Sequence, residues 1–231
     1  MSQAKHIFPF LVPTLVLALI LAVALLVIPK AELHLALCQP HTPFLDAVVP
    51  VFSNLVDWLP YLIVVLLLFY RAGWATLLAS NLLLTTLIVQ PIKHIIHAPR
   101  PLTWFAENMP DIALPLVEGV RMNHWLSFPS GHTATAFAGA ELVRAEYGWG
   151  YGIAAYTVAT GVAFMRLYNN RHWLNDVLAG AGVGIVSAQI GYWMLPLSRK
   201  IFKMDRRKAL VSTPMYYPEQ NALGMACAMS F

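Results

Sequence analysis

Long stretches without a charged side chain are the feature that most limits how this chain can fold. The first runs from Ile7 to Ile28, and further apolar stretches recur as far as Leu195. Only 11% of the residues are charged, whereas a soluble domain carries about 25%. Because a helix needs about 20 mostly apolar residues to cross a bilayer, the sequence predicts an integral membrane protein built from spanning helices.

Six spans are predicted, and they form one all-α membrane domain over residues 1–197. The first run is too long for a signal peptide, whose apolar core has about 7 to 15 residues, so we expect it to span. The predicted spans are Ile7–Ile28, about Val49–Tyr70, Trp74–Ile96, Ser130–Tyr147, Tyr151–Leu167 and Trp173–Leu195. Residues 198–231 are predicted to be a basic cytoplasmic tail.

The distribution of Lys and Arg predicts the orientation, because short cytoplasmic loops are enriched in them. An even number of spans places both termini on one side, and that side carries nine of the 15 basic residues. The nine are Lys5, Arg71, Arg144, Arg199, Lys200, Lys203, Arg206, Arg207 and Lys208. We therefore expect cytoplasmic termini, with the ends of spans three, four and six facing outward. The small size favours a bacterial inner (plasma) membrane.

The segment from His97 to Leu126 differs in composition from the spans. It contains four prolines among several charged residues, a pattern that breaks helices and prefers water. Long loops in compact domains are usually functional. We predict that Leu102–Leu126 contributes to substrate specificity, although its sequence does not identify a lipid.

Basic residues lie where the third span ends. Lys93 and Arg100 are seven positions apart, and prolines flank Arg100 on both sides. Ionised side chains at a membrane boundary are often functional. Alternatively, both could be anchors that extend to the interface.

The fourth span opens with a turn that can bind an anion. Ser130 suits an N-cap, Gly131 allows close approach of a ligand to the backbone, and His132 projects from the first turn. The alternative is a capped helix start with a packed histidine.

The sixth span opens with a histidine and a carboxylate. His172 and Asp176 are four residues apart and share a helical face. A carboxylate that accepts from one ring nitrogen leaves the other free as a nucleophile or base. A helix-surface pair is the alternative, but Asp176 would then enter the membrane boundary unpaired.

In a six-span arrangement these elements meet on one side, and Arg166 joins them at the end of span five. Cations, an anion-binding helix start and two histidines describe a pocket for a phosphate undergoing transfer. No carboxylate cluster accompanies them, so we expect no metal and no cofactor. Cys38 and Cys227 lack the spacing of a disulfide framework or a zinc site.

The chain resembles the type 2 phosphatidic acid phosphatase superfamily in three motifs. Lys93 to Pro101, Pro129 to His132 and Arg166 to Asp176 match its K-x6-RP, PSGH and SR-x5-H-x3-D patterns, except that Met165 replaces the serine. The resemblance implies that His172 forms a phosphohistidine, Asp176 orients it, and His132 protonates the leaving oxygen and then activates water. It assigns the phosphoryl oxygens to Lys93, Arg100, Ser130, Gly131 and Arg166.

The function implied is hydrolysis of a lipid phosphate or diphosphate without metal. Undecaprenyl diphosphate, lipid A phosphate, phosphatidylglycerol phosphate and phosphatidic acid all fit, and the expected partners are this lipid and the bilayer, not a nucleic acid. The alternatives are an anion transporter, a non-catalytic lipid-binding relative and vanadate-dependent halide oxidation. A transporter would need ionisable residues deep within several spans.

Several smaller features also yield predictions. Gly180, Gly182, Gly184 and Gly191 are typical of close helix packing, and Asn81 and Thr85 indicate hydrogen bonds between helices. A further set of histidines could line the site entrance, although lone histidines more often have only structural roles. These are His94, His97 and His124.

Overall fold

A computed structural model describes residues 23, 26–38, 41–70, 72–120, 122–201, 210–217 and 222–229. Most of the predicted first span, Ile7–Ile28, and most of the basic cluster at 199–208 lie outside these ranges. Seven helices with defined bounds are described. They are α1 (Lys30–Cys38), α2 (Pro43–Tyr70), α3 (Ala72–Ile96), α4 (Pro101–Asn108), α5 (Gly131–Tyr147), α6 (Trp149–Tyr168) and α7 (Leu174–Ile201).

Three helical stretches in the described part are long and apolar enough to cross a membrane. They are Pro43–Phe69, Gly73–Asn108 and Leu174–Tyr192. Helix α2 exposes large apolar side chains such as Trp58 and Phe69, as expected of a surface that faces lipid. The prediction of a helical membrane domain is therefore confirmed in outline, and the count of six spans stays a prediction.

Helices α5 and α7 pack with their backbones in close approach. A Cβ placed on Gly184 would lie 2.9 Å from the amide nitrogen of Ala138 and 3.0 Å from the carbonyl carbon of Ala134. One placed on Gly180 would collide with the carbonyl oxygen of Ser130. The packing role predicted for the glycines is confirmed at these two positions, whereas Gly182 faces open space and is not part of the contact.

Polar side chains join α3 to α7. Thr85 Oγ1 lies 2.8 Å from Ser187 Oγ, so the predicted bond between helices is confirmed for Thr85. Asn81 instead accepts a bond from Thr85 within α3, and its side-chain amide would lie 3.1 Å from a Cβ at Gly191. That glycine therefore makes room for Asn81.

Glu141 is the centre of a buried polar network that links α5, α6 and α7. Arg144 donates Nε to Glu141 Oε2 at 2.6 Å and Nη2 to Oε1 at 2.5 Å. Tyr156 also donates to Oε2 at 2.6 Å, and Gln189 donates to Oε1. Because a helix rises 1.5 Å per residue, this network lies about 15 Å along α5 from its first residue.

Helix α1 packs behind the turn that joins α6 to α7. His34 Nε2 donates to Asn170 Oδ1 at 2.9 Å, and Cys38 Sγ donates to the carbonyl of Leu167 at 3.0 Å. The ammonium of Lys30 lies 3.7 Å from the ring centroid of Trp173. Burial lowers the pKa of His34 to about 4, so this imidazole is neutral at pH 7.

The segment after α3 contains a helix that the sequence analysis did not predict. Its prolines indicated a loop that breaks helices, but α4 begins at Pro101 and continues to Asn108. Proline is well suited to the first helical position, because the amide hydrogen that it lacks has no partner there in any helix. The prediction of a helix-free segment is therefore wrong over these eight residues.

The chain also forms an antiparallel hairpin near its end, which the sequence analysis did not predict. Its strands are β1 (Leu210–Tyr217) and β2 (Ala222–Met229), with Leu210 opposite Met229 and Tyr217 opposite Ala222.

Candidate active site

All eight predicted site residues lie at one end of the helix bundle. Lys93 is in the last turn of α3, Arg100 directly precedes α4, and Arg166 is in the last turn of α6. Ser130, Gly131 and His132 form the start of α5, while His172 and Asp176 flank the start of α7. The convergence that the sequence analysis predicted is present in the structure.

The backbone carbonyls of residues 124–126 hold Lys93 and Arg100. Arg100 donates its backbone amide to the carbonyl of His124 at 2.9 Å and Nε to the carbonyl of Trp125 at 3.0 Å. Lys93 Nζ donates to the carbonyl of Leu126 at 2.5 Å. Each cation thus uses one side-chain donor for positioning, and the buried Arg100 Nη1 has no hydrogen-bond partner in the described ranges.

His172 and Asp176 are adjacent, and the carboxylate is fixed by other groups. Ser127 Oγ donates to Asp176 Oδ2 at 2.5 Å, and the backbone amide of Trp173 donates to the same oxygen at 2.9 Å. The distance from His172 Nδ1 to this oxygen is 3.7 Å, slightly longer than a hydrogen bond. A small rotation of the imidazole would close it, and such bonds are often long in a protein without substrate.

The imidazole of His172 is in its neutral form. Only 2% of the residue is exposed, and burial lowers the pKa of His172 to about 3, with the positive charges of Arg100 and Lys93 acting in the same direction. The Asp176 carboxylate opposes this shift but does not overcome it. A neutral imidazole has a free lone pair, which a nucleophile requires.

The start of α5 presents its backbone amides to the site. Ser130 occupies the N-cap position, but its side chain makes no capping bond and instead lies 2.9 Å from Thr133 Oγ1. The Ser130 amide donates to the carbonyl of Asp176 at 2.9 Å, which fixes α5 against α7. The amides of a first helical turn have no partner within the helix, so those of Gly131 and His132 can bind an anion.

Arg166 is fully buried, yet its guanidinium has no hydrogen bond. Its Nε, Nη1 and Nη2 all lack partners within the part of the protein that the structure describes. The nearest carboxylate oxygen is Oδ1 of Asp57, 3.5 Å from Nη2. Unsatisfied buried donors are uncommon in proteins, and this group is suited to an oxyanion acceptor.

Two charged residues at the site were not predicted. Arg171 interacts electrostatically with Arg100 and Arg166, and its buried Nε has no hydrogen-bond partner among the residues that the structure describes. Asp57 in α2 lies with Oδ1 2.5 Å from His132 Nε2. Arg171 directly precedes His172, at a position that the third motif leaves unspecified. Asp57 stands out as a carboxylate within an apolar run, a signal that could have identified it.

Other residues near the predicted motifs have structural contacts. Met165, which stands in place of the serine, packs in an apolar cluster with Val49 and Tyr168. The ring of His97 stacks on Trp125 with centroids 5.1 Å apart, and His124 Nδ1 lies 3.2 Å from Thr103 Oγ1. Whether the histidines line an entrance stays a prediction. Among the described residues, no group of three or more His, Cys, Asp or Glu residues could hold a metal ion.

Comparison with known proteins places this arrangement in a family. The model of the PAP2 superfamily matches residues 74–200, more than half of the chain and all three motifs. The chain belongs to the PAP2 superfamily. The resemblance inferred from the motifs is thereby confirmed.

Individual PAP2 proteins match to different extents. A lipid A 1-phosphatase of Porphyromonas gingivalis is 55% identical over 75 residues, which are 31% of this chain and 17% of the relative. This chain thus spans less than a fifth of that relative's length.

Two solved PAP2-like folds are also similar. LpxE of Aquifex aeolicus aligns with a TM-score of 0.62 and 26% identity, over 71% of this chain and 94% of its own. A PAP2 type phosphatidylglycerolphosphate phosphatase of Bacillus subtilis aligns with a TM-score of 0.57 and 21% identity, over 84% and 98% respectively. The second likeness concerns the fold alone.

Proposed function

We propose that this PAP2 protein is an integral membrane phosphatase that hydrolyses a lipid phosphate or lipid diphosphate. The observation that carries the proposal is the set of unpaired buried donors on Arg100 and Arg166 beside the neutral imidazole of His172. A phosphoryl group is tetrahedral and rich in acceptors, so it satisfies several such donors at once. Buried donors without a hydrogen-bond partner are otherwise costly to fold.

In the proposed reaction, His172 attacks phosphorus and His132 donates a proton to the leaving oxygen. The bond from phosphorus to that oxygen breaks as the bond to the imidazole nitrogen forms, which yields a phosphohistidine. His132 then takes a proton from water as the water oxygen bonds to phosphorus and the phosphorus–nitrogen bond breaks. Inorganic phosphate leaves, and both histidines return to their starting forms.

The remaining site residues stabilise charge and fix geometry. Lys93, Arg100 and Arg166, together with the Ser130 hydroxyl and the Gly131 amide, bind the phosphoryl oxygens as negative charge develops. Asp176 orients the His172 ring and stabilises its positive charge once nitrogen has bonded to phosphorus. These groups supply the positive charge that a divalent ion would otherwise provide, so we propose a mechanism without metal.

The substrate is a membrane lipid with a terminal phosphate or diphosphate. Of the four classes that fit, lipid A 1-phosphate is the first to test, because a stretch of 75 residues is 55% identical to part of a protein named lipid A 1-phosphatase. Undecaprenyl diphosphate, phosphatidylglycerol phosphate and phosphatidic acid complete the panel. Their reacting groups all lie at the level of the head groups, where the helix ends bring the site residues together.

We further propose six spans in a bacterial inner membrane, with both termini cytoplasmic and the site on the outer face. The Lys and Arg distribution and the even span count support this orientation. It can be tested with an impermeant thiol reagent on a chain in which Cys38 and Cys227 are serine. Glu107→Cys should label in intact cells and Gln220→Cys should not, and the reverse pattern would place the site on the cytoplasmic face.

The activity itself is tested by measuring inorganic phosphate released from each lipid by the purified protein in detergent. We expect release from at least one lipid, inhibition by orthovanadate and full activity in EDTA. Strong inhibition by EDTA that magnesium reverses would exclude the metal-free mechanism. Absence of release from the whole panel by folded protein would exclude the proposed function.

A further inference from the structure

Asp57 places a carboxylate against the residue proposed as the general acid. It lies within the apolar helix α2, where an ionised side chain is costly unless it has a partner. Its Oδ1 is 2.5 Å from His132 Nε2 and 3.5 Å from Arg166 Nη2. None of the three PAP2 motifs includes this position, and 75 positions separate it from His132.

We propose that Asp57 is a positioning residue that acts through His132, holding the imidazole ring in place and stabilising its protonated form. The inference rests on the proposed function, because it concerns the proton that His132 gives to the leaving oxygen. Since Nε2 faces Asp57, the other ring nitrogen, Nδ1, is left to exchange that proton.

The charges around His132 explain why such a partner is needed. Burial disfavours a positively charged His132 ring, and the positive charges of Arg166 from α6 and Arg171 from the turn after it act in the same direction. Asp57 from α2 is the carboxylate that opposes them. Without it, two guanidinium groups would favour loss of the proton that the leaving oxygen requires. The protonated form of His132 therefore needs a negative charge beside it that offsets the nearby guanidinium groups.

The position of Asp57 also fits a different role. Asp57 could occupy the place of a phosphoryl oxygen and compete with substrate for Arg166. The two roles make opposite predictions. A competitor raises KM and weakens binding of phosphate analogues, so removing it should improve both, whereas a positioning residue acts on the chemical step and its loss should lower the rate.

The experiment compares Asp57→Asn with the wild-type protein on two substrates. One is a short-chain alkyl phosphate, whose leaving oxygen needs a proton. The other is p-nitrophenyl phosphate, whose leaving group departs without one. The value of kcat/KM covers steps up to formation of the phosphohistidine and therefore isolates the first proton transfer.

We expect Asp57→Asn to lower kcat/KM about 10- to 100-fold on the alkyl phosphate, because general acid catalysis contributes about 10²- to 10⁴-fold. The loss on p-nitrophenyl phosphate should be less than about threefold. Asp57→Glu should recover part of the alkyl activity. Asp57→Asn should also add little to the defect of His132→Asn, because the two residues act as one unit.

Asp46→Asn is the matched control. Asp46 is a carboxylate of the same helix that also pairs with a histidine, with Oδ1 2.8 Å from His41 Nδ1. It also accepts from Tyr168 and is outside the candidate site. This variant should leave the ratio of the two kcat/KM values unchanged.

Three outcomes overturn the inference while leaving the phosphatase proposal in place. They are equal losses on both substrates, full retention of alkyl activity, and a fall in KM and in the vanadate inhibition constant with kcat unchanged. If Asp57→Asn does not fold, the same comparison is made with Asp57→Glu. A larger loss of kcat/KM on the alkyl phosphate than on p-nitrophenyl phosphate supports the inference, and equal losses overturn it. If wild-type protein releases phosphate from neither these substrates nor the lipids, the proposed function fails instead.

Discussion

The close packing of α7 on α5 predicts that one methyl group, added at a helix contact outside the three motifs, will impair the site. A Cβ at Gly180 would lie 3.3 Å from both the carbonyl carbon and the Cβ of Ser130, and nearer still to the Ser130 carbonyl oxygen. Carbon atoms pack best at about 3.5 to 4.0 Å, so Gly180→Ala must displace the start of α5 by about 0.5 Å or more. Ser130 and the backbone amides at the start of α5 would move with it.

The expected loss follows from that displacement. A misplacement of about 1 Å at a reacting centre costs about 10²-fold in rate. A displacement of about half that distance should therefore lower kcat/KM about tenfold. Overpacking should also destabilise the fold by about 1 to 3 kcal/mol. The assay is phosphate release from the preferred lipid, with the melting temperature measured in the same detergent.

Gly182→Ala is the matched control, because a Cβ at that position would have no contact within 4 Å in the part of the chain that the structure describes. It makes the same chemical change on the same helix and should leave activity and melting temperature close to wild type. The reasoning is wrong if Gly180→Ala stays within about twofold of wild type, or if Gly182→Ala loses as much activity. Either result would mean that the close approach of α7 does not position Ser130.

Three further predictions concern other parts of the molecule. Arg171→Gln should raise KM about tenfold with a smaller effect on kcat, because it removes a cation near Arg100 and Arg166; an unchanged KM would contradict this. Glu141→Ala should destabilise the protein by about 3 kcal/mol, since it leaves Arg144 unpaired, whereas Glu146→Ala, at an exposed position, should barely change the melting temperature. The pKa of His34 is about 4 in the folded protein and about 6.5 when unfolded, so its contribution to stability is complete above pH 6.5 and is lost as pH falls toward 4. His34→Gln should therefore reduce the fall in melting temperature between pH 7.5 and pH 5, where the linkage is worth about 2 kcal/mol.

The sequence was most informative where chemistry depends on local spacing. His172 and Asp176 are four residues apart, a separation that places them on one helical face in any fold. Lys93, Arg166 and the PSGH turn lie at the ends of apolar runs. Spanning helices that end on one side of a membrane can be arranged in few ways, so residues at those ends are expected to lie close together. These constraints are short in range, so they could be recognised without knowing how the helices pack.

The features that escaped prediction depend on contacts between distant parts of the chain. No local pattern pairs Asp57 with His132, because only the packing of α2 beside α5 brings them together. Arg171 follows a turn whose geometry decides whether its side chain faces the site or the solvent. Helix α4 was missed for a different reason: Pro101 was interpreted as a helix breaker although it is the first residue of the helix.

The most direct test of the account is the activity of His172→Ala on the lipid that wild-type protein hydrolyses best. The cationic residues are untouched, so this protein should still fold and bind vanadate. It should release phosphate several orders of magnitude more slowly, because the nucleophile that accepts the phosphoryl group is gone. Retention of more than about a tenth of wild-type activity by folded His172→Ala protein would contradict the account.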